Sequence, residues 1–170
     1  MKKYLLLTLL VLLCCLGTAC RPAQAGEFSL YLVDGLTTAE AVQGDLQTLP
    51  LAAEPLLTAG DIKWYDFETH EMELTRAAYK RIQGVFPMPV RVDGIPFVVR
   101  AGEETVYMGA FWTPVSSLSF DGVVIMEPWE KDVRVIRIGV GYPTSDFAAS
   151  DPRSDPRIRQ ALETDGVSVK

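Results

Sequence analysis

Cysteine is missing from residues 21–170; Cys14, Cys15 and Cys20 are the only three, all within the first twenty positions. This excludes an internal disulfide, a thiol nucleophile, a zinc–cysteine site and iron–sulfur ligation from the rest of the chain. Histidine is nearly missing: His70 stands alone. No Gly-x-Ser-x-Gly elbow and no Ser-x-x-Lys pair occurs, and Gly139-Val140-Gly141 lacks the third glycine and following helix of a phosphate loop. The sequence therefore offers no cofactor motif. There is no basic excess either: 16 Lys and Arg face 22 Asp and Glu, a formal net charge of −6. A nucleic-acid partner would need the opposite balance. With 48% hydrophobic and 22% charged residues, the chain is too apolar to be disordered. No second long apolar run follows the N-terminal one, so the chain is not polytopic.

The N-terminus differs from the remainder. Lys2 and Lys3 precede a charge-free, Leu-rich run from Tyr4 to Leu16, and Gly17, Thr18 and Ala19 lead to Cys20. A positive start, an apolar centre and a small-residue end make a secretory signal. The run is shorter than the ~20 residues of a spanning helix, although extension to Cys20 keeps an uncleaved anchor as one alternative. Leu16-Gly17-Thr18-Ala19-Cys20 resembles a bacterial lipobox, with Gly17 where Leu is usual. That resemblance implies a diacylglycerol on Cys20 and a membrane contact through lipid chains. Ala23-Gln24-Ala25 is a competing cleavage site that would release a chain beginning at Gly26. Both routes export the protein, either as an anchored envelope lipoprotein or as a periplasmic or secreted one. The expected organisation is a signal at 1–20 (or 1–25), a tether at 21–27 and a single domain at 28–166. Residues 1–25 hold three basic and no acidic groups, leaving 13 basic against 22 acidic in the remainder, a net of −9.

Within the domain, Phe28 to Val33 reads as a strand ended by Asp34-Gly35. Thr38 to Val42 reads as a short helix capped by Thr38. Thr58 to Asp61 suits one capped helical turn. Ile62 to Phe67 reads as a strand with Ile62, Trp64 and Asp66 on one face and Lys63, Tyr65 and Phe67 on the other. A short strand through Met72 and Leu74 follows. Thr75 then caps a helix from Arg76 to Gln83 with an Ala78, Tyr79, Ile82 stripe. Val90 to Val92, Asp93-Gly94 and Ile95 to Arg100 carry a hairpin signal, with Pro96 pushing the second strand toward an edge. Strands follow at Thr105 to Trp112, Val123 to Met126 and Val133 to Tyr142, with Gly109 at a bulge or close approach and a turn at Trp129 to Asp132. Short connections imply antiparallel neighbours. Asp155-Pro156 opens a terminal helix whose Ile158, Ala161 and Leu162 dock it. The expected fold is α+β: a mostly antiparallel, meander-like sheet of about four to six strands with one covering helix and a short C-terminal helix.

Several residues could carry chemistry. Asp66, Glu68 and His70 would share a face if extended, a carboxylate–imidazole set suited to a metal; the competing reading is a solvated hairpin tip. Ser116, Ser117 and Ser119 share one loop, but nothing assembles them with His70 into a triad. Neighbouring carboxylates such as Glu71 with Glu73 read as solubility features rather than a glycosidase pair. Trp64 and Trp112 could stack on a sugar or anchor a peptide, or simply fill the core. Trp112-Thr113-Pro114 sets an aromatic at a strand end beside the serine loop, where binding sites often form. Arg153 and Arg157, from two Asp-Pro-Arg units, could clamp an anion together with Arg159, with Asp151 and Asp155 close enough to neutralise the clamp. The candidate binding residues are thus Trp112, Ser116, Ser117, Trp64, His70, Arg153 and Arg157, with Cys20 for lipid; no catalytic or metal-binding residue is assigned.

Residues 61–70 (DIKWYDFETH) and 109–113 (GAFWT), together with 116–120 (SSLSF) and the Asp-Pro-Arg pair, make the chain similar to a group of uncharacterised bacterial exported proteins. The resemblance spans most of 28–164. It implies one compact domain and carries no activity or ligand. The sequence reading is a non-enzymatic, lipid-anchored envelope protein that binds a ligand or partner. The alternatives are an envelope hydrolase acting on cell-wall or other extracellular material, and a metal-binding exported protein.

Overall fold

The computed structural model describes residues 27–86, 88–128 and 133–170. The signal, Cys20, the tether up to residue 26 and the turn expected at Trp129 to Asp132 lie outside the described residues. Among the described residues nine strands form one sheet: β1 (Phe28–Leu32), β2 (Leu57–Thr58), β3 (Ile62–Asp66), β4 (Glu71–Leu74), β5 (Ile95–Ala101), β6 (Glu104–Trp112), β7 (Phe120–Met126), β8 (Val135–Tyr142) and β9 (Ser168–Val169). Their order is β2-β1-β5-β6-β7-β8-β4-β3-β9. The β6–β7 and β3–β9 pairs are parallel and the others antiparallel. Among the described residues three short α-helices accompany the sheet: α1 (Thr38–Gln43), α2 (Arg76–Gly84) and α3 (Pro156–Thr164). Among the described residues no helix is long and apolar enough to cross a membrane.

This corrects the expected four-to-six-stranded antiparallel meander with one covering helix. The fold is a nine-stranded mixed sheet, mostly β. Two strands, β2 and β9, are two residues long and too short to show any alternation. β1 pairs with β5 and β4 with β8, across long stretches of chain, so sequence neighbours are often not sheet neighbours. The 113–119 connection does not turn back as a hairpin. Trp112 lies opposite Met126 in parallel register, so Phe120 starts six residues upstream along the sheet, about 20 Å away at ~3.3 Å per residue. Eight peptide steps reach at most about 29 Å. The return spans that distance even with a turn at its start, closed by Ser116 N donating to the Thr113 carbonyl at 3.1 Å, where a parallel connection normally takes a dozen or more residues.

Burial on both faces explains the centre of the sheet. β5 and β6 are almost continuously buried and read as unbroken apolar runs. Alternate residues serve opposite layers. Phe97, Val99 and Phe111 join Val123 and Ile125 in the main core, which α2 closes with Ala78, Tyr79 and Ile82 and α3 with Ile158, Ala161 and Leu162. On the other face Val98 packs with Val33, Ala41 and Leu49, and Ala110 and Trp112 pack with Phe120 and Val124. α1 and the 113–119 return cover this second layer.

Local signals were read with mixed success. Thr75 and Asp155 cap α2 and α3 as expected. α1 begins with the right residues, but Thr37 is its cap: its hydroxyl accepts from Glu40 N at 3.2 Å while Glu40 Oε2 accepts from Thr37 N at 2.8 Å. Thr38 is released to the interior. The 90–100 hairpin does not form, because residues 90–94 contribute no strand. β5 is central despite Pro96. The Pro96 carbonyl accepts from Val33 N just past Leu32↔Phe97, the last β1–β5 pair, so the missing N–H faces a point where the ladder has ended. A register shift between Ile62 and Trp64 breaks the alternation of β3, so Ile62 and Tyr65 are both buried. Gly109 is a close approach: a Cβ there would lie 2.6 Å from both Phe97 Cζ and the Val123 carbonyl oxygen.

Candidate functional site

α1 and the 113–121 stretch border a cavity of about 620 Å³ on the second face of the sheet, within the usual size range of small-ligand sites. Its floor is aromatic. Trp112 and Phe120 stack with centroids 5.2 Å apart and planes 12° from parallel, and Tyr142 lies 5.9 Å from Trp112. Gly94, at φ 77°, packs against the indole: a Cβ there would come within 2.6 Å of Trp112 Cε3 and 2.9 Å of Thr38 Oγ1. Only glycine meets both the conformation and the space. Val42 and Leu118 form a rim and stay about half exposed, at 47% and 48%.

The polar atoms here are unusual. Trp112 Nε1 and Thr38 Oγ1 are both buried and have no hydrogen-bond partner among the described residues. Each such group costs about 1–3 kcal/mol. Asp93 lines the same cavity, but the Arg91 guanidinium binds it through two contacts of 3.2 and 2.9 Å and holds its carboxyl below the usual range. Asp121, also in the lining, is exposed and has no charged partner among the described residues. No Lys or Arg among the described residues lines the cavity.

Trp112 is thus at the cavity, but as a floor residue only 3% exposed. It is not an open stacking platform, since Phe120 covers a face and Gly94 its benzo edge. Ser116 has a structural task. Its hydroxyl donates to the Val92 carbonyl at 2.6 Å and accepts from Leu118 N at 3.1 Å. The Tyr142 hydroxyl adds bonds to the Pro114 and Ser116 carbonyls, so the return segment is fastened to both neighbours. Ser117 is exposed and outside the cavity lining; Ser119 is in it. Trp64 lies elsewhere: its Nε1 donates to Glu73 Oε2 at 2.9 Å, and the Lys170 ammonium sits 4.5 Å from the ring centre. Cys20 lies outside the described residues.

His70 corrects both readings of its segment. It is neither a solvated tip nor part of a one-faced ligand set. Asp66 Oδ1 accepts from Glu68 N and Thr69 N, forming a tight turn. His70, at φ 55°, then folds inward and is 6% exposed. Its Nδ1 lies 3.1 Å from the buried Tyr65 hydroxyl. Among the described residues no three His, Cys, Asp or Glu side chains group to hold a metal. Burial first, and the nearby Arg153 second, lower the His70 pKa, so the imidazole is neutral around pH 7.

Arg153 is built into the fold rather than offered to an anion. It is 9% exposed. Nε and Nη2 each donate to Asp151 at 2.7 Å, and Nη1 donates to the Ile138 carbonyl at 2.6 Å. Ile138 N donates to the His70 carbonyl. β4 begins only at Glu71, and the φ of His70 takes the backbone out of the strand. Arg153 therefore fills the place of the missing strand partner. Its guanidinium holds the Asp151 carboxyl down to about 2. Arg157 repeats the grip on Asp155 at the surface and adds Glu104 at 3.0 Å. Neither guanidinium is free for a ligand.

No family model, curated protein or solved structure matches the chain. Of the candidate binding residues among the described ones, Trp112 lies at the cavity, and Ser119 of the serine loop joins it there. Thr38, Val42, Leu118 and Asp121 were missed, because β6 and the 113–121 return had to be placed against α1 first. One local signal existed: Thr37-Thr38 offers two capping hydroxyls to a helix that uses one.

Two outcomes follow from the buried cluster. Arg153→Ala strands the Ile138 carbonyl and is expected to cost about 1–3 kcal/mol in urea unfolding, against under about 1 kcal/mol for the exposed Arg157→Ala; equal losses would contradict the strand-substitute role. His70 has a folded pKa below its ordinary 6.5, so the unfolded chain takes up the proton first. Its stabilising effect is complete above about pH 6.5 and is lost as pH falls below that. Urea midpoints measured from pH 8 to pH 5 should decline, and His70→Asn, which tolerates positive φ, should flatten the decline.

Proposed function

We propose that the protein is an exported, non-enzymatic binding protein of the cell envelope, anchored by lipid on Cys20, that takes its ligand in the groove between α1 and the 113–121 stretch. The observation that carries the groove reading is a cavity of small-ligand size with an apolar rim at Val42 and Leu118, whose lining includes Thr38 and Trp112, two residues that each hold an unpartnered buried polar atom. Buried polar atoms are usually paired; of the four left unpaired among the described residues, Arg100 Nε and Arg134 Nε lie elsewhere, while Thr38 and Trp112 both line this cavity. A binding role fits better than catalysis because the candidate chemical groups are already engaged: Ser116 on backbone, His70 on Tyr65, and both arginines on carboxylates. The export and anchoring parts rest on the Lys2-Lys3 start, the apolar run and the lipobox-like 16–20 segment.

Ligand-detected NMR with a small-fragment library should give binders to the wild-type domain that are lost in Val42→Asp and Leu118→Asp, two substitutions at half-exposed positions that leave the core alone. Binders indifferent to both variants, or no binders, would remove the groove from consideration. For the anchor, metabolic labelling with a tagged fatty acid should mark the full chain and fail to mark Cys20→Ala; an unlabelled wild type would favour release after Ala25.

A further inference from the structure

His70 is the single histidine of the chain, and it sits where a proton disturbs its neighbours. Its ring stands edge-on to Tyr65 and Phe67, with centroids 6.2 and 6.3 Å away. A neutral imidazole can accept at Nδ1 from the Tyr65 O–H 3.1 Å away; an imidazolium donates from both ring nitrogens and cannot. Tyr65 is 1% exposed and burial pushes its pKa up, so the hydroxyl keeps its hydrogen and then needs a different acceptor. The charged groups around the ring come from three sides. Arg153 and Asp151 act on it from the segment before α3, Arg137 from β8, and Asp66 from the preceding turn. Asp151 is engaged by the Arg153 guanidinium and Asp66 by Glu68 N and Thr69 N, so neither carboxylate is free to pair with an imidazolium.

Tyr65 ties this ring to β9. Its hydroxyl meets His70, its backbone lies opposite Val169 in the parallel β3–β9 pair, and its carbonyl accepts from Lys170 N at 2.9 Å. Phe67 N donates to the Lys170 carbonyl at 3.2 Å, and the Lys170 ammonium rests on the Trp64 ring. β9 is two residues long, and the last core residue before it is Val167, so 168–170 can leave without disturbing α3. We propose that His70 is a proton-operated latch for β9: with a neutral imidazole Tyr65 is fixed and 168–170 pair with β3, and with an imidazolium Tyr65 shifts and 168–170 leave the sheet. Release uncovers the outer edge of β3, where the Tyr65 carbonyl and the Phe67 N–H lose their partners and become open to another strand. The latch shares no residue with the groove and does not depend on the binding reading. The closed form holds the His70 pKa below its ordinary 6.5, so protons favour the open form below that pH, by at most about thirtyfold at pH 5.

Amide hydrogen exchange of the intact protein, followed by NMR from pH 8 to pH 5, reads the latch, and the one imidazole resonance reports the titration of His70 in the same samples. The imidazole should titrate below pH 6.5. The Phe67 and Lys170 amides should exchange through an opening that is insensitive to low urea and easier than global unfolding, which core amides such as Val99 and Ile125 report. Their protection, corrected for the intrinsic pH dependence of exchange, should fall about five- to thirtyfold between pH 8 and pH 5, beginning near pH 6.5. In His70→Asn, which tolerates the positive φ and does not titrate in this range, the same amides should keep a constant protection. Equal protection at pH 8 and pH 5 in the wild type overturns the latch. So does protection of Phe67 and Lys170 equal to that of the core, since β9 then leaves only when the whole domain unfolds. An undiminished fall in His70→Asn assigns the proton to another group and overturns it as well. If that variant does not fold, the wild-type imidazole titration and exchange decide alone.

Discussion

Seven residues carry the chain from the end of β6 back to the start of β7, and much of the molecule follows from that shortage. β6 and β7 lie side by side in parallel, so the return crosses the second face in far fewer residues than a parallel connection usually takes. The sheet is then buried on both sides at its centre, and β5 and β6 become nearly all apolar. The return also forms one wall of the groove and brings Phe120 onto Trp112. Beyond the turn that Ser116 N closes on the Thr113 carbonyl, a return outside the sheet has few backbone partners of its own. Ser116 compensates for this, pinning the return to Val92 on one side while Tyr142 grips it from β8.

How much of this could be read from the residues depended on the range of the interaction involved. Caps and helix stripes are local, and Thr75, Asp155 and the Ala78-Tyr79-Ile82 stripe were readable for that reason. Strand existence was also legible, since Ile95 to Ala101 and Glu104 to Trp112 are rich in β-branched and aromatic residues. Pairing was not. A run of short strands and turns looks the same whether it forms a meander or a sheet in which β1 sits against β5 and β4 against β8. The continuous burial of β5 and β6 was the available clue to a two-sided sheet, and Pro96 hid it by looking like an edge marker.

The site residues divided in the same way. The neutralisation of Arg153 and Arg157 by an aspartate two positions earlier was visible in the Asp-Pro-Arg repeat itself. The task of Arg153 was not, because it concerns the Ile138 carbonyl fifteen residues away, left without a strand partner where β4 stops. His70 looked solvent-facing because its neighbours Glu68, Thr69 and Glu71 are polar. Its inward course comes from a positive φ and from Tyr65, which a bulge in β3 turns into the core.

The two polar groupings invite a direct comparison. Around Arg153 the guanidinium is bonded to Asp151 and Ile138, the His70 carbonyl takes Ile138 N, and His70 Nδ1 meets the Tyr65 hydroxyl. Such a network specifies one arrangement, and removing a member strands the others. Beneath α1 the situation is reversed: Thr38 and Trp112 carry hydrogen-bonding atoms into an apolar layer and leave them unpaired, at a cost of about 1–3 kcal/mol each. A Val at 38 would fill similar space without the penalty there. The first grouping therefore belongs to stability and the second is poorly explained by it. The penalty makes physical sense if an incoming acceptor removes it, because the free energy recovered on pairing then adds to affinity for that ligand and to discrimination against one lacking the acceptor.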